Sequence, residues 1–142
     1  MKLRLAALLV GLGAVGLSAP AMAQNPHFVG EPSCVENNAC TTVTCTGKIA
    51  GVGTSPTTVT ADIAGSGCVN NPGHEPRGHA QASSNPITPR GGSITFNVSP
   101  TVDCPPGLTP VFGDEACIFI TQNGVTTQVD GCIDIVKPDQ CN

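Results

Sequence analysis

Eight cysteines constrain the fold of this 142-residue chain more than any other feature of its sequence. Their number is even and all of them follow an apparent export signal, which favours disulfide bonds over thiols. None of their spacings gives the C-x2-C knuckle of a zinc site or the C-x-x-C-H sequence of haem attachment. We therefore expect four disulfides and no free thiol. The cysteines are Cys34, Cys40, Cys45, Cys68, Cys104, Cys117, Cys132 and Cys141.

The pairing of these cysteines is constrained only in part, because eight cysteines allow about 105 connectivities. Proximity in the sequence favours a bond between Cys132 and either Cys117 or Cys141. Cys34 and Cys40 are expected to close an N-terminal arm. The pairing of the remaining three stays open: Cys45, Cys68 and Cys104.

Residues 1–23 have the three parts of a signal peptide. Lys2 and Arg4 lie at the start, residues 5–17 are apolar, and Ala21 and Ala23 fit the cleavage rule. The apolar run is shorter than the ~20 residues that span a bilayer. The expected product is a secreted protein, extracellular or periplasmic, that starts at Gln24 and has no membrane anchor. A place at the cell surface is compatible with this reading.

The charge of the mature chain argues against two classes of partner. Without Lys2 and Arg4, four Lys and Arg residues remain against ten Asp and Glu residues, a net charge of −6. Such a surface repels nucleic acid and anionic membranes. The sequence therefore predicts neither as a partner.

The composition predicts a light core without long helices. The sequence has four Phe, no Trp and no Tyr, with thirteen Pro and seventeen Gly. Proline and glycine disfavour helix interiors. Because few large side chains can be buried, we expect the disulfides to stabilise the fold, each by about 2–4 kcal/mol of the free energy of unfolding.

The apolar residues of the mature chain alternate with polar ones, which predicts β-strands. Residues 24–42 are polar and are interpreted as an arm pinned by disulfides, and residues 43–142 as one antiparallel β-sandwich. The runs at 43–51 and 57–64 suggest a hairpin, and residues 80–84 a short edge strand. The expected inward residues are Val43, Cys45, Ile49, Val59, Ala61, Ile63, Ile94, Phe96 and Val98.

A second hairpin is predicted with its register. Asn123-Gly124 suits a two-residue type I′ turn, because both residues tolerate positive φ. Gln122 is then opposite Val125, Ile120 is opposite Thr127 and Ile118 is opposite Val129. Cys117 and Cys132 share the other face with Phe119. The expected apolar face comprises Ala116, Ile118, Ile120, Val125 and Val129.

The stretch HEPRGH at 74–79 is close to the zinc-protease sequence H-E-x-x-H. That site needs histidines at i and i+4 on one helix face, whereas His74 and His79 are at i and i+5. The extra residue rotates the second ligand ~140° away, and Pro76 and Gly78 oppose a helix. A zinc-protease site is therefore excluded. The expected structure is an exposed polar loop. The alternative is a looser metal site at His74 and His79, with Glu75 and His27 as further candidate ligands.

Several short motifs resemble an uncharacterised family of small exported bacterial proteins. They are CTGKIAGVG at 45–53, Cys68 followed by NPG at 71–73, PRG at 76–78, GSITF at 92–96 and Cys104-Pro105. The resemblance implies an immunoglobulin-like β-sandwich and implies no activity. It also implies that the prolines and glycines of the histidine loop are the patterned positions. The chain departs from the family at Cys34, Cys40, Cys132 and Cys141.

Two classes of function follow from these observations. With every cysteine oxidised there is no thiol nucleophile, and no G-x-S-x-G elbow occurs, so we expect no enzyme and no cofactor. The first class is a non-catalytic structural or binding module of unspecified partner. The alternative is a carrier of a small ligand or of copper or zinc that uses His74 and His79.

Overall fold

The computed structural model describes residues 25–71 and 73–142, so the predicted signal peptide at 1–23 lies outside the described residues. The described part is all-β and ends in a short 3-10 helix, Asp139–Cys141. Its nine strands are β1 (His27–Glu36), β2 (Val43–Ala50), β3 (Thr58–Val69), β4 (Gly78–Ser83), β5 (Ser93–Val98), β6 (Thr109–Val111), β7 (Glu115–Gln122), β8 (Val125–Gln128) and β9 (Ile133–Val136).

The strands form one sheet in the order β4-β3-β7-β9-β1-β2-β5, with β6 beside β3 and β8 beside β7. The sheet curls into a nearly closed barrel, in which β3 also contacts β5. The prediction of a purely antiparallel sheet is wrong at one place, because β9 runs parallel to β1, with Cys34 beside Ile135 and Val35 beside Val136. Alternation shows which face a residue occupies, but not the direction of the neighbouring strand.

The core contains the residues that alternation placed inward. All nine of the expected inward residues are buried. Phe96 is the largest of the fully buried side chains, and its ring packs 6.3 Å from that of Phe28. The aromatic content of the core is therefore small, as the composition predicts.

Two strand assignments differ from the sequence-based expectation. The predicted hairpin of β2 with β3 is wrong: β2 pairs with β1 and β5, whereas β3 pairs with β4, β6 and β7. The connecting residues cross instead from one part of the sheet to another, with Val52 buried. Residues 27–36 of the predicted arm form β1, which lies between β9 and β2 inside the sheet. A polar composition did not reveal this strand, because most of its residues are exposed.

The β7–β8 hairpin has the predicted register. Gln122 pairs with Val125 and Ile120 with Thr127, and Val129 donates its N–H to the Ile118 carbonyl at 2.8 Å. The turn residues have φ of 49° at Asn123 and 77° at Gly124. Val125 is the exception to the predicted apolar face, since it is 42% exposed beside the turn. The short edge strand predicted near residue 80 is also present, as β4.

All eight cysteines are paired, as predicted. The Cys117–Cys132 bond is one of the two that proximity favoured, and it excludes the other, Cys132–Cys141. Cys141 lies on the 3-10 helix. This helix packs on the β1–β2 loop and so places Cys141 beside Cys40 rather than beside Cys132. The four bonds are Cys34–Cys45, Cys40–Cys141, Cys68–Cys104 and Cys117–Cys132.

Candidate functional site

The candidate site is a cavity of about 540 Å³ next to the Cys40–Cys141 disulfide. We call the two segments that this disulfide joins, residues 37–42 and 137–142, the clasp. The clasp forms one wall, β6 and the residues around it form another, and the β3–β4 loop forms the third. The lining residues are Cys40, Gly73, His74, Glu75, Thr109, Pro110, Val111, Asp114, Lys137, Gln140, Cys141 and Asn142.

The first clasp segment is a loop that Asn37 organises. The Asn37 side-chain oxygen accepts hydrogen bonds from the N–H groups of Thr41 (2.9 Å) and Thr42 (3.1 Å). The Asn37 N–H donates to the Thr42 carbonyl at 2.9 Å. Asparagine suits this role because its short side chain can bond to nearby backbone. Cys40 sits in the loop with φ of 57° and donates its N–H to the Asn37 carbonyl.

The second clasp segment contains the short 3-10 helix, Asp139–Cys141. Pro138 precedes it in an extended conformation, and Cys141 donates its N–H to the Pro138 carbonyl at 2.9 Å. The side-chain amide of Gln140 donates to the Asn38 carbonyl at 3.2 Å, on the opposite segment. The two clasp segments are therefore held together by a hydrogen bond as well as by the disulfide.

A buried carboxyl group lies beneath the disulfide. Glu36, the last residue of β1, is only 3% exposed, and its Oε2 atom has no hydrogen-bond partner. A carboxylate oxygen of Glu36 and the sulfur atoms of Cys40 and Cys141 lie within 4.8 Å of one another. Burial raises the pKa of Glu36 because it disfavours the charged form, while the positive charge of Lys137 acts in the opposite direction.

Lys137, the first residue of the second clasp segment, joins the clasp to the loop between β6 and β7. Its Nζ donates to the Phe112 carbonyl at 2.8 Å and to Asp114 Oδ1 at 3.0 Å. The lysine side chain is 15% exposed, whereas that of Asp114 is 95% exposed. The Asp114 carboxylate therefore remains open to solvent at the mouth of the cavity.

The histidines predicted as metal ligands have separate surroundings. His74 lines the clasp cavity, and its N–H donates to the Asn71 carbonyl at 3.3 Å. His79 lies on β4, where its Nδ1 is 2.9 Å from Asp62 Oδ1. Within residues 25–71 and 73–142, no group of three metal-ligating side chains includes either histidine. A metal site at His74 and His79 thus remains a prediction.

Sequence reasoning missed Glu36, although one signal could have found it. Glu36 follows Cys34 by two residues on a strand, so both side chains face the core. A carboxyl group on the inward side of a strand is uncommon and marks a place to examine. Its proximity to Cys40 and Cys141 could not be predicted, since the pairing of Cys40 was unknown.

In the oxidised state the cluster of Glu36, Cys40 and Cys141 offers limited chemistry. The two sulfurs are bonded to each other, so neither provides a thiolate. The cavity combines an apolar wall at Pro110 and Val111 with carboxylates at Glu75 and Asp114. Such a lining suits a ligand that joins an apolar group to a cationic one.

The part of the chain that the structure describes contains no helix with the length and apolar character of a membrane span. Comparison of the chain with protein-family models, curated proteins and solved structures found no match.

Proposed function

We propose that the protein is a small secreted, non-catalytic binding module whose binding site is the clasp cavity. The observation that carries this proposal is the set of four disulfides in a chain with a light core. Disulfides of this density are characteristic of small domains exported to oxidising compartments. One of them, Cys40–Cys141, forms part of the cavity wall and so holds it in one shape.

The proposed architecture is immunoglobulin-like, as the family resemblance implies. It is supported by a core to which both ends of the sheet contribute: Ala80 of β4 and Phe96 of β5 belong to one cluster of buried residues. Membership of the exported bacterial family is likewise proposed on its sequence motifs. Export can be tested by expressing the full chain in a bacterium and determining the N-terminus of the product. Cleavage after Ala23 supports the proposal, and retention of residues 1–23 in the cytoplasm opposes it.

The proposed ligand is an extended peptide that carries Lys or Arg beside apolar residues. The exposed carboxylates of Glu75 and Asp114 would pair with the basic group, and Pro110 and Val111 would contact the apolar one. Burial of the partner in a cavity of about 540 Å³ suits one or two side chains.

A peptide array with and without basic residues tests this site. The variant Glu75→Gln/Asp114→Asn should lose binding of the basic peptides. A matched control, Glu31→Gln/Asp103→Asn, removes two exposed carboxylates outside the cavity and should bind as the original does. Equal loss in both variants would indicate a general charge effect and would refute the assigned site.

The second candidate is a metal carrier that uses the loop histidines. The position of His74 in the lining of the clasp cavity favours it. Titration of the oxidised protein with copper or zinc, compared with His74→Ala and His79→Ala, separates the two candidates. A carrier requires that the metal raise the melting temperature and that both substitutions abolish the rise.

A further inference from the structure

We propose that reduction of the Cys40–Cys141 disulfide turns the clasp into a metal site, in which two thiolates and the Glu36 carboxylate bind a zinc-type cation. The juxtaposition that carries this proposal is the cluster of the three side chains, whose ligand atoms lie within 4.8 Å of one another. Zinc takes thiolate and carboxylate ligands at about 2.0–2.3 Å, so the two sulfurs would move apart once their bond is reduced and would surround it together with the Glu36 oxygen. The proposal is independent of the ligand proposed for the cavity.

We expect the clasp to keep its shape without the disulfide, because the hydrogen bonds of its backbone and amide groups do not depend on the sulfur–sulfur bond. The Asn37 side chain holds the Cys40 loop through two backbone N–H groups. Cys141 is held by its bond to Pro138, and Gln140 ties its helix to Asn38 across the clasp. The two thiols would therefore stay near each other after reduction.

Glu36 supplies the second observation that points to a cation. Its Oε2 atom is buried and has no hydrogen-bond partner, which is a costly arrangement for a carboxyl group. Coordination of a cation would satisfy that oxygen. Lys137, whose charge acts on Glu36, donates to Phe112 and Asp114 instead.

The site would keep an open coordination position. Zinc is commonly held by four ligands, and sites with three protein ligands keep the fourth position for water or another molecule. Cys40 and Cys141 both line the clasp cavity, so that position would face it. The cavity would then bring a small ligand within reach of the metal.

The chemistry of conversion needs a dithiol reductant. The reductant gives two electrons to the sulfur–sulfur bond and becomes a disulfide itself, and its two protons pass to Cys40 and Cys141 as thiols. Metal binding then releases these two protons to solvent and leaves two thiolates on the cation. Both cysteines are partly exposed, so a reductant can approach them.

Cadmium titration of partly reduced protein tests the proposal. The protein is treated with limiting dithiothreitol without oxygen, and the species with Cys40 and Cys141 reduced is isolated and identified by alkylation and mass mapping. We expect one cadmium ion per chain, thiolate-to-cadmium absorption in the ultraviolet, and protection of both cysteines from alkylation. Glu36→Gln should weaken binding at least about tenfold.

Three comparisons make the test decisive. Glu115→Gln, an exposed carboxylate of β7 outside the cluster, should leave the affinity unchanged. Cys40→Ser/Cys141→Ser keeps the other three disulfides and should not bind cadmium. Far-UV circular dichroism should show the same β-sheet content before and after reduction. Equal affinity in the Glu36 variant, absence of protection, or loss of the sheet on reduction would overturn the proposal.

Discussion

Removal of the Cys40–Cys141 disulfide should destabilise the protein more than removal of another partly exposed disulfide. The bond joins residues 101 apart in sequence. In the unfolded chain, the Cys68–Cys104 and Cys117–Cys132 bonds bypass 36 and 15 of these residues, which leaves a closed loop of about 50. The entropy of closing such a loop corresponds to about 4 kcal/mol.

The matched control is the Cys117–Cys132 disulfide, whose loop spans 15 residues and corresponds to about 3 kcal/mol. Both pairs are partly exposed, so serine substitutions create little buried polarity in either variant. Cys40→Ser/Cys141→Ser should therefore lose about 1 kcal/mol more than Cys117→Ser/Cys132→Ser.

Urea unfolding under non-reducing conditions measures both losses. The chain has no Trp or Tyr, so far-UV circular dichroism is the suitable optical probe. In thermal unfolding, about 4 kcal/mol corresponds to a melting temperature lower by roughly 12–20 °C. An equal or larger loss in the Cys117→Ser/Cys132→Ser variant would refute the loop-length reasoning.

Three further predictions concern Glu36, two glycines and the two loop histidines. Burial raises the pKa of Glu36, so the contribution of this residue to stability is complete below its usual pKa of 4.5 and is lost as pH rises through the folded-state pKa. The free energy of unfolding of Glu36→Gln, relative to that of the original protein, should therefore increase over this pH range in urea unfolding. A difference that does not change with pH would contradict this prediction. Gly113→Ala would drive its Cβ into a backbone carbonyl oxygen of β3 and should cost about 1–3 kcal/mol, whereas Gly131→Ala meets no atom within 4 Å and should change little; equal melting temperatures would count against the packing. His74→Ala/His79→Ala should change the free energy of unfolding by less than ~0.5 kcal/mol in the absence of metal, since both residues are exposed, and a larger loss in urea unfolding would show a structural role.

The alternation of side chains determined which residues enter the core. Residues such as Ile49, Ile63 and Phe96 are buried as predicted, because the two faces of a strand are set locally by its period of two. The Asn123-Gly124 turn was also predictable with its register, since turn chemistry and the apolar pattern act within a few residues of each other.

The partners of each strand were decided only by the tertiary structure. The segment that precedes residue 43 was predicted to be a polar arm, yet β1 lies inside the sheet between β9 and β2. Most side chains of β1 are exposed, so its composition gives no sign of the hydrogen bonds that its backbone makes to both neighbours. The parallel contact of β1 with β9 pairs residues more than a hundred positions apart, as Cys34 and Ile135 are, and no local pattern predicts such a pairing.

The candidate site also depends on contacts between segments that are distant in the sequence. The sequence showed that Cys40 and Cys141 would be oxidised, but many pairings were compatible with that conclusion. Only the packing of the 3-10 helix on the β1–β2 loop brings Cys141 to Cys40 and places both above Glu36. Local patterns therefore determined the alternating strands from Val43 onward, most of the core and the number of disulfides. Contacts between distant segments determined β1, the topology and the clasp, because these depend on the free energy of the whole fold.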